Sequence, residues 1–264
     1  MRKGLMTSVL FAFLFLTLPP AQGAMQQVTA NSGRDKVPIL LYHRFGPAAA
    51  DGMTVTTQVF TSHLEYLAKN GYTIIPLRKL IAFYLRKVPA LPPKAVVIVV
   101  DDGHKSVYTD MLPLVRKYSI PVTLFIYPSA ISNATYAMTW DELRALKKTG
   151  FFDFQSHTYW HPNFLKERRK LGPADFEKFV DTQMKKPLIK IEKELGIRPD
   201  MLAWPFGIYD DYLIGKVREA GYVAAFTIER RRACSRDGLL KLPRYLLINA
   251  DTGGKFENIL AGKG

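Results

Sequence analysis

The sequence predicts a single α/β domain built on a parallel sheet or barrel, and three observations carry that expectation. Short apolar runs alternate with longer amphipathic ones along most of the 264 residues, which is the pattern of strand followed by helix, repeated. Gly71, Gly150, Gly196 and Gly221 each follow an amphipathic run, where a left-handed residue ends a helix. The length suits one well-buried domain and is short for two. No internal repeat or low-complexity segment points to a solenoid.

The chain opens with Met1-Arg2-Lys3, a nearly uncharged run over 5–18, and then Pro19-Pro20-Ala21-Gln22-Gly23-Ala24. A basic start, an apolar stretch and small residues make residues 1–23 an expected signal peptide, with Ala21 and Gly23 as the small pair before the cut. The alternative, an uncleaved anchor, needs roughly 20 apolar residues, and this run is shorter. The mature protein is therefore expected to be secreted, to the periplasm or to the extracellular face of the cell. Residues 24–36 are mostly polar and read as a flexible leader, with the domain running over 37–264.

Within that domain, strands are expected at 38–42, 72–75, 95–100, 122–127, 152–155, 202–204, 223–227 and 242–248. Helices are expected at 57–70, 107–118, 139–148, 173–195 and 210–220. Cys234 is the only cysteine, so no intramolecular disulfide is available and stability rests on the core. With no histidine near it in sequence, Cys234 reads as a bystander thiol.

The net charge is +14; loss of Arg2 and Lys3 with the first 23 residues leaves +12 (14 minus 2). Such a surplus favours anionic envelope surfaces. Nucleic acid is not expected, because no helix-turn-helix, zinc-finger or RNA-binding pattern is present and a secreted chain rarely meets it. Arg230-Arg231-Arg232 reads as a solvated loop.

The chemistry-bearing residues sit at strand ends. The run 95–100 is almost wholly β-branched, as a strand buried on both faces requires, and it leads directly into Asp101-Asp102-Gly103-His104. Two adjacent carboxylates there are costly without a partner, and the carboxyl ends of parallel strands are where α/β active sites lie. A helix cap or Asx-turn accounts for one aspartate more readily than for both. A second cluster, His157-Thr158-Tyr159-Trp160-His161, follows the strand at 152–155. Its two histidines face one way if the segment makes a helical turn, and with Asp102 they offer two nitrogens and one oxygen to a divalent metal, leaving positions open.

These motifs resemble the polysaccharide deacetylase family, which shares its domain with the nodulation chitooligosaccharide deacetylases. That family carries an aspartate pair followed by glycine, matched by Asp101-Asp102-Gly103. Its His-Ser/Thr-x-x-x-His-like signature is matched by His157-Thr158-Tyr159-Trp160-His161, and its Arg-x-Pro-Tyr/Phe segment in part by Ala203-Trp204-Pro205-Phe206-Gly207. The resemblance implies a distorted (β/α) barrel of about seven parallel strands and a metal-dependent hydrolase acting on an N-acetylated amino-sugar polysaccharide. It implies Asp101 as general base, Asp102, His157 and His161 as metal ligands, and the backbone N–H of Phe206 as an oxyanion donor. The metal expected is zinc, with cobalt or nickel as alternatives. The protein is expected to act as a monomer.

Two departures from the family pattern shape the rest of the reading. Ala203 stands where many members carry the arginine that orients the base, and no histidine follows His161 to serve as the late general acid. His43, at the end of the first strand, fills the second vacancy if the first and last strands are neighbours. This permuted arrangement resembles the branch acting on poly-β-1,6-N-acetylglucosamine. By position on the last apolar run, Arg244 is the candidate partner of Asp101, the alternative being an ordinary surface arginine. His63 reads as a partly buried helix residue, and His104 as either a turn cap or a contact of the site. Tyr159, Trp160, Trp204 and Phe206 could stack on sugar rings or simply pack the core. Competing functions are a peptidoglycan or chitooligosaccharide deacetylase, and a polysaccharide-binding protein without catalysis.

Overall fold

The structure, a computed structural model, describes residue 1 and residues 35–263. Apart from Met1, the expected signal peptide lies outside the described residues, as does all but the end of the expected leader. No helix among the described residues is long and apolar enough to cross a membrane.

The sheet grows from β5 (Ala95–Asp102), whose β-branched run is buried along its whole length. It lies between β1 (Ile39–Tyr42) and β6 (Val122–Ile126), and the sheet continues through β7 (Phe152–Ser156), β8 (Met201–Ala203) and β9 (Ala224–Phe226). On the far side of β1 is β10 (Tyr245–Leu246), so the order is β10-β1-β5-β6-β7-β8-β9, with every pairing parallel. The two ends of this path approach each other through a parallel bridge between Phe226 and Leu242, with Thr227 N–H donating to Leu242 O at 2.8 Å. The short β4 (Thr73–Ile74) pairs with the start of β5. A separate two-stranded pair, β2 (Arg44–Gly46) with β3 (Thr54–Thr56), follows β1.

Strand alternation divides the core into layers. Leu40, Tyr42, Val96, Ile98 and Val100 belong to one apolar cluster, together with residues of α1 (Thr57–Lys69), the helix Leu112–Tyr118 and α4 (Trp140–Lys148). Ile39, Leu41, Val97 and Val99 belong to a second, with Leu77, Leu80 and Ile81 of α2 (Leu77–Tyr84). The Tyr42↔Val100 pairing makes His43 level with Asp101, and both continue the odd-numbered set, so the two side chains start from the same face of the sheet.

The helices carry recognisable stops and starts. Thr139 caps α4 in a capping box with Glu142, and Gly196 ends α6 (Pro173–Leu195) in the left-handed region at φ 65°. The single helix expected at 107–118 is instead a π-turn over Val107–Met111 followed by α3 (Leu112–Tyr118); Pro113 in its first turn has no N–H to donate, so the regular ladder cannot run through it. The structure adds α2, α5 (Phe164–Lys170) and α8 (Gly254–Ala261) to the expected helices, with α7 (Asp211–Glu219) matching 210–220. α5 buries only Phe164, which is why no apolar period announces it.

Arg230-Arg231-Arg232 is not simply solvated. Arg230 donates to Leu246 O at 2.6 Å, Arg231 pairs with Glu229 and Asp237, and Arg232 donates to Leu260 O. The run ties the loop after β9 to the chain's last strand and helix. His63 is fully rather than partly buried, between the Tyr42 hydroxyl at 3.0 Å and Asp251 O at 2.7 Å. Cys234 is a buried free thiol.

Candidate active site

Three segments meet at the carboxyl ends of the strands: Asp101-Asp102-Gly103 at the end of β5, residues 157–161 after β7, and 204–207 after β8. All three are bent by non-glycine residues in the left-handed region, Asp102 at φ 74°, Thr158 at 66°, His161 at 62° and Phe206 at 57°. Such conformations are held only where surrounding contacts impose them, and they concentrate at functional sites. At Asp102 the contact is a bond from Gly103 N–H to Asp101 O, 3.0 Å, closing a three-residue turn that aims the second carboxylate away from the strand's own alternation. The expected helical turn between the two histidines is absent, since residues 157–163 are irregular. The left-handed Thr158 and His161 bring the imidazoles together instead, with ring centroids 4.5 Å apart.

Asp102, His157 and His161 form the one group of this kind found among the described residues, with ligand atoms all within 4.8 Å of one another. His157 Nδ1 lies 2.8 Å from Ala203 O. A carbonyl only accepts, so Nδ1 carries the proton and Nε2 is an unprotonated acceptor. That Nε2 faces Asp102 Oδ1 and Asp101 Oδ2, each at 3.6 Å, and His161 Nε2 lies 3.9 Å from Asp102 Oδ1. Asp102 Oδ1 is buried with no hydrogen-bond partner. An unpartnered carboxylate oxygen converging with two imidazole nitrogens suits a cation, so the residues fit a divalent metal, and the bond from His157 to Ala203 O is the outer support such ligands use.

The electrostatics agree with this arrangement. Burial pushes the His157 imidazole down to about 3, and its net position is lowered despite the pull of Asp101. It is therefore neutral at working pH and does not form a true ion pair with either carboxylate. Burial also lowers His161 and, with the neighbouring Asp101 charge, raises Asp102. Asp101 goes the other way. Burial opposes its ionisation, but the Arg244 guanidinium holds it down at about 2.

Arg244 is not a surface residue. It is completely buried, donates from both terminal nitrogens to the two Asp101 oxygens at 2.8 Å each, and donates through Nε to Thr227 O at 3.0 Å. It thus reaches Asp101 from the segment that precedes β10, two strands away across β1. His43 follows β1, and its Nδ1 is buried without a hydrogen-bond partner. Phe206 sits in the turn Pro205–Gly207, its ring half exposed and 4.6 Å from that of His161. Trp160 is also half exposed, whereas Trp204 is fully buried with its indole N–H on Leu240 O and so belongs to the core. His104 bonds through Nδ1 to Ser106 Oγ at 2.8 Å and stacks near Tyr136.

Tyr127, which sequence reasoning passed over, lies 5.4 Å ring to ring from His161, and its hydroxyl is 2.6 Å from that of Tyr136. Burial raises its phenol, and the Tyr136 hydrogen bond and the Asp102 charge add to the effect. Its position one residue beyond β6 is the signal that could have found it, because strand-end residues of a parallel barrel line the site.

A carboxylate and two imidazoles beside an ion-paired second carboxylate thus gather at the strand ends of a parallel α/β sheet, where active sites of this architecture lie. Residues 89–225, just over half of the chain, match the polysaccharide deacetylase family, and the chain belongs to that family. It is similar to the poly-beta-1,6-N-acetyl-D-glucosamine N-deacetylase of Staphylococcus aureus, 23% identical over 198 residues covering 74% of this chain and 68% of the relative. Among solved structures, it shares its fold with the Streptococcus pyogenes deacetylase PplD (TM-score 0.76, 21% identity, covering 85% of this chain and 98% of that one). IcaB from Ammonifex degensii is comparable (TM-score 0.73, 22% identity, covering 87% and 98%). The chain is thus a hydrolase of the polysaccharide de-N-acetylase class.

Proposed function

We propose that this enzyme removes N-acetyl groups from poly-β-1,6-N-acetylglucosamine of the cell envelope or biofilm, using a divalent metal held by Asp102, His157 and His161. The observation that carries the metal reading is the convergence of the partnerless Asp102 Oδ1 with two imidazole nitrogens. The substrate reading is supported by the name of the Staphylococcus aureus relative and by the pairing of β1 with β10, which lets an early histidine serve where others use a late one.

An amide carbonyl is a poor electrophile. A divalent cation in the cradle, zinc by preference with cobalt or nickel also suited, would polarise that carbonyl and make a nearby water more acidic. The protein's own groups supply the rest. Asp101, kept ionised by Arg244, accepts the proton of the attacking water. The N–H of Phe206 donates to the oxygen on which negative charge develops. His43, on the same face as Asp101, gives a proton to the departing amine, without which the C–N bond does not break. Phe206 presents a half-exposed ring against His161, and Trp160, the neighbour of His161 in sequence, a second half-exposed ring, as surfaces for a pyranose ring.

Export by the segment 1–23 and attraction of the basic surface to an anionic envelope belong to the same reading. Acetate release from purified β-1,6-linked and β-1,4-linked N-acetylglucosamine polymers, with and without chelator, tests it. Chelator-sensitive release confined to the β-1,6 polymer supports the assignment. Preference for the β-1,4 polymer moves the enzyme to the chitooligosaccharide or peptidoglycan class, and no release from either, with metal restored, favours a binding protein.

A further inference from the structure

The loop that carries both histidines is held from outside itself at two places: by the backbone of and after β6, where His157 N–H donates to Ile126 O at 2.8 Å and Ser129 N–H to Tyr159 O at 3.0 Å, and by one helix. Inside the loop, Thr158 N–H donates to Ser156 Oγ at 3.2 Å and His161 N–H to Thr158 Oγ1 at 3.1 Å. Both are local bonds that shape the loop without fixing where it sits against Asp102. Nearest to His161, the anchor is the Trp160 N–H, which donates to Gln183 Oε1 at 3.0 Å. Gln183 belongs to α6 and is buried, 2% exposed.

The same face of α6 meets the loop on either side of that bond. Phe179 lies one turn before Gln183 and its ring is 5.6 Å from that of Trp160; Lys186, close to a turn after it, places Nζ 4.0 Å from the centre of the Tyr159 ring. Positions 179, 183 and 186 are at helical spacing, so they form one stripe. Pro187 has no N–H to return to the Gln183 carbonyl, and Tyr222 donates its hydroxyl to the next carbonyl, Met184 O, at 2.9 Å. The helix is thus secured where its ladder is interrupted, beside the residue that reaches the loop. The amide orientation is fixed as well, because a backbone N–H needs an oxygen opposite it.

We propose that Gln183 is a positioning residue of the metal centre. By holding Trp160 N–H it sets the backbone from which left-handed His161 projects, and hence the distance of that imidazole from Asp102 and His157. It touches neither metal nor substrate. The proposal rests on the reading of Asp102, His157 and His161 as a metal centre.

The test is zinc affinity of the full-length protein, measured by competition with a chromogenic chelator, together with the visible spectrum of the cobalt-substituted protein. Wild type, Gln183→Met and His157→Ala are compared, with unfolding of the metal-free forms as a fold control. Gln183→Met keeps the volume and removes the acceptor. It is expected to bind zinc about tenfold to a hundredfold more weakly, the usual size of outer-shell effects, and to shift the cobalt bands, while its metal-free unfolding stays cooperative. If Gln183→Met does not fold, Gln183→Asn, which keeps an amide but withdraws it by one methylene, carries the comparison with the same expectation. Wild-type affinity and an unchanged cobalt spectrum in the folded variant overturn the proposal. If wild type binds no zinc, or His157→Ala binds it equally well, the metal-centre reading itself is wrong and the proposal falls with it.

Discussion

Arg244 grips Asp101 with two parallel hydrogen bonds of 2.8 Å, and neither side chain is reached by solvent, at 0% and 2% exposure. The residues are 143 apart in sequence, yet the pairing of β10 with β1 and of β1 with β5 brings them to one end of the sheet. The fork geometry is one that only arginine offers, and it fixes the orientation of the carboxylate as well as its charge.

Removing that partner leaves a buried carboxylate uncompensated. Arg244→Ala is expected to lower stability by about 3–5 kcal/mol and to depress acetate release strongly. Arg244→Lys restores charge without the fork and should recover only part of either. Urea midpoints and turnover on the same preparations check both effects; near-normal turnover in Arg244→Ala would remove Arg244 from the active site.

His43→Ala is expected to reduce turnover by about 10²–10⁴-fold, the range for a lost general acid, while zinc content stays at the wild-type level. Metal analysis of the purified variant alongside its kinetics separates this from a simple loss of metal. A parallel loss of zinc would instead make His43 a structural part of the cradle.

The metal-free protein should lose stability as pH falls from neutrality. His157 has an ordinary value of 6.5 and a folded value of about 3, so between these limits the unfolded chain takes up a proton that the folded one refuses. Stability from this group is complete above about 6.5 and is lost progressively as pH falls toward 3. At pH 5 the loss amounts to about 2 kcal/mol, from 1.36 kcal/mol per unit. Asp101 adds to the decline only below its ordinary 3.8, down to about 2. Denaturant unfolding in chelator at pH 7 and pH 5 measures the slope, and it should flatten in His157→Gln.

Gly103→Ala should be destabilising by about 2 kcal/mol or more, since it combines left-handed strain with overpacking. Gly103 sits at φ 75°, and an added Cβ would lie 3.0 Å from Ile131 Cδ1 and 3.1 Å from Ile126 Cγ2. Thermal unfolding checks the cost, and loss of metal affinity beyond it would show that the turn aims Asp102.

The α/β class and the strand-end position of the aspartate pair were legible because buried parallel strands write continuous β-branched runs, and β5 writes the clearest one. The neighbourhood of His43 and Arg244 was legible from topology, since a barrel brings its first and last strands together. How the two histidines meet was not. The i, i+4 spacing suggested a helical turn, whereas the chain uses left-handed Thr158 and His161, and nothing local favours that conformation in a β-branched residue. It is imposed by Ser156, Thr158 and Gln183 through hydrogen bonds, one of them from a helix more than 20 residues further along the chain. The three basic residues at 230–232 misled for a similar reason: their acceptors are backbone carbonyls and acids whose proximity appears only after folding. Tyr127 went unnoticed because a tyrosine ending an apolar run reads as core.

The central claim is that Asp102, His157 and His161 together hold one divalent ion, and the most direct measurement is anomalous diffraction at the zinc edge from crystals of the metal-loaded protein. A single peak within coordination distance of an Asp102 carboxylate oxygen and the Nε2 atoms of His157 and His161, lost in His157→Ala, is the expected result. A peak held by other residues, or none at saturating zinc, would contradict the account.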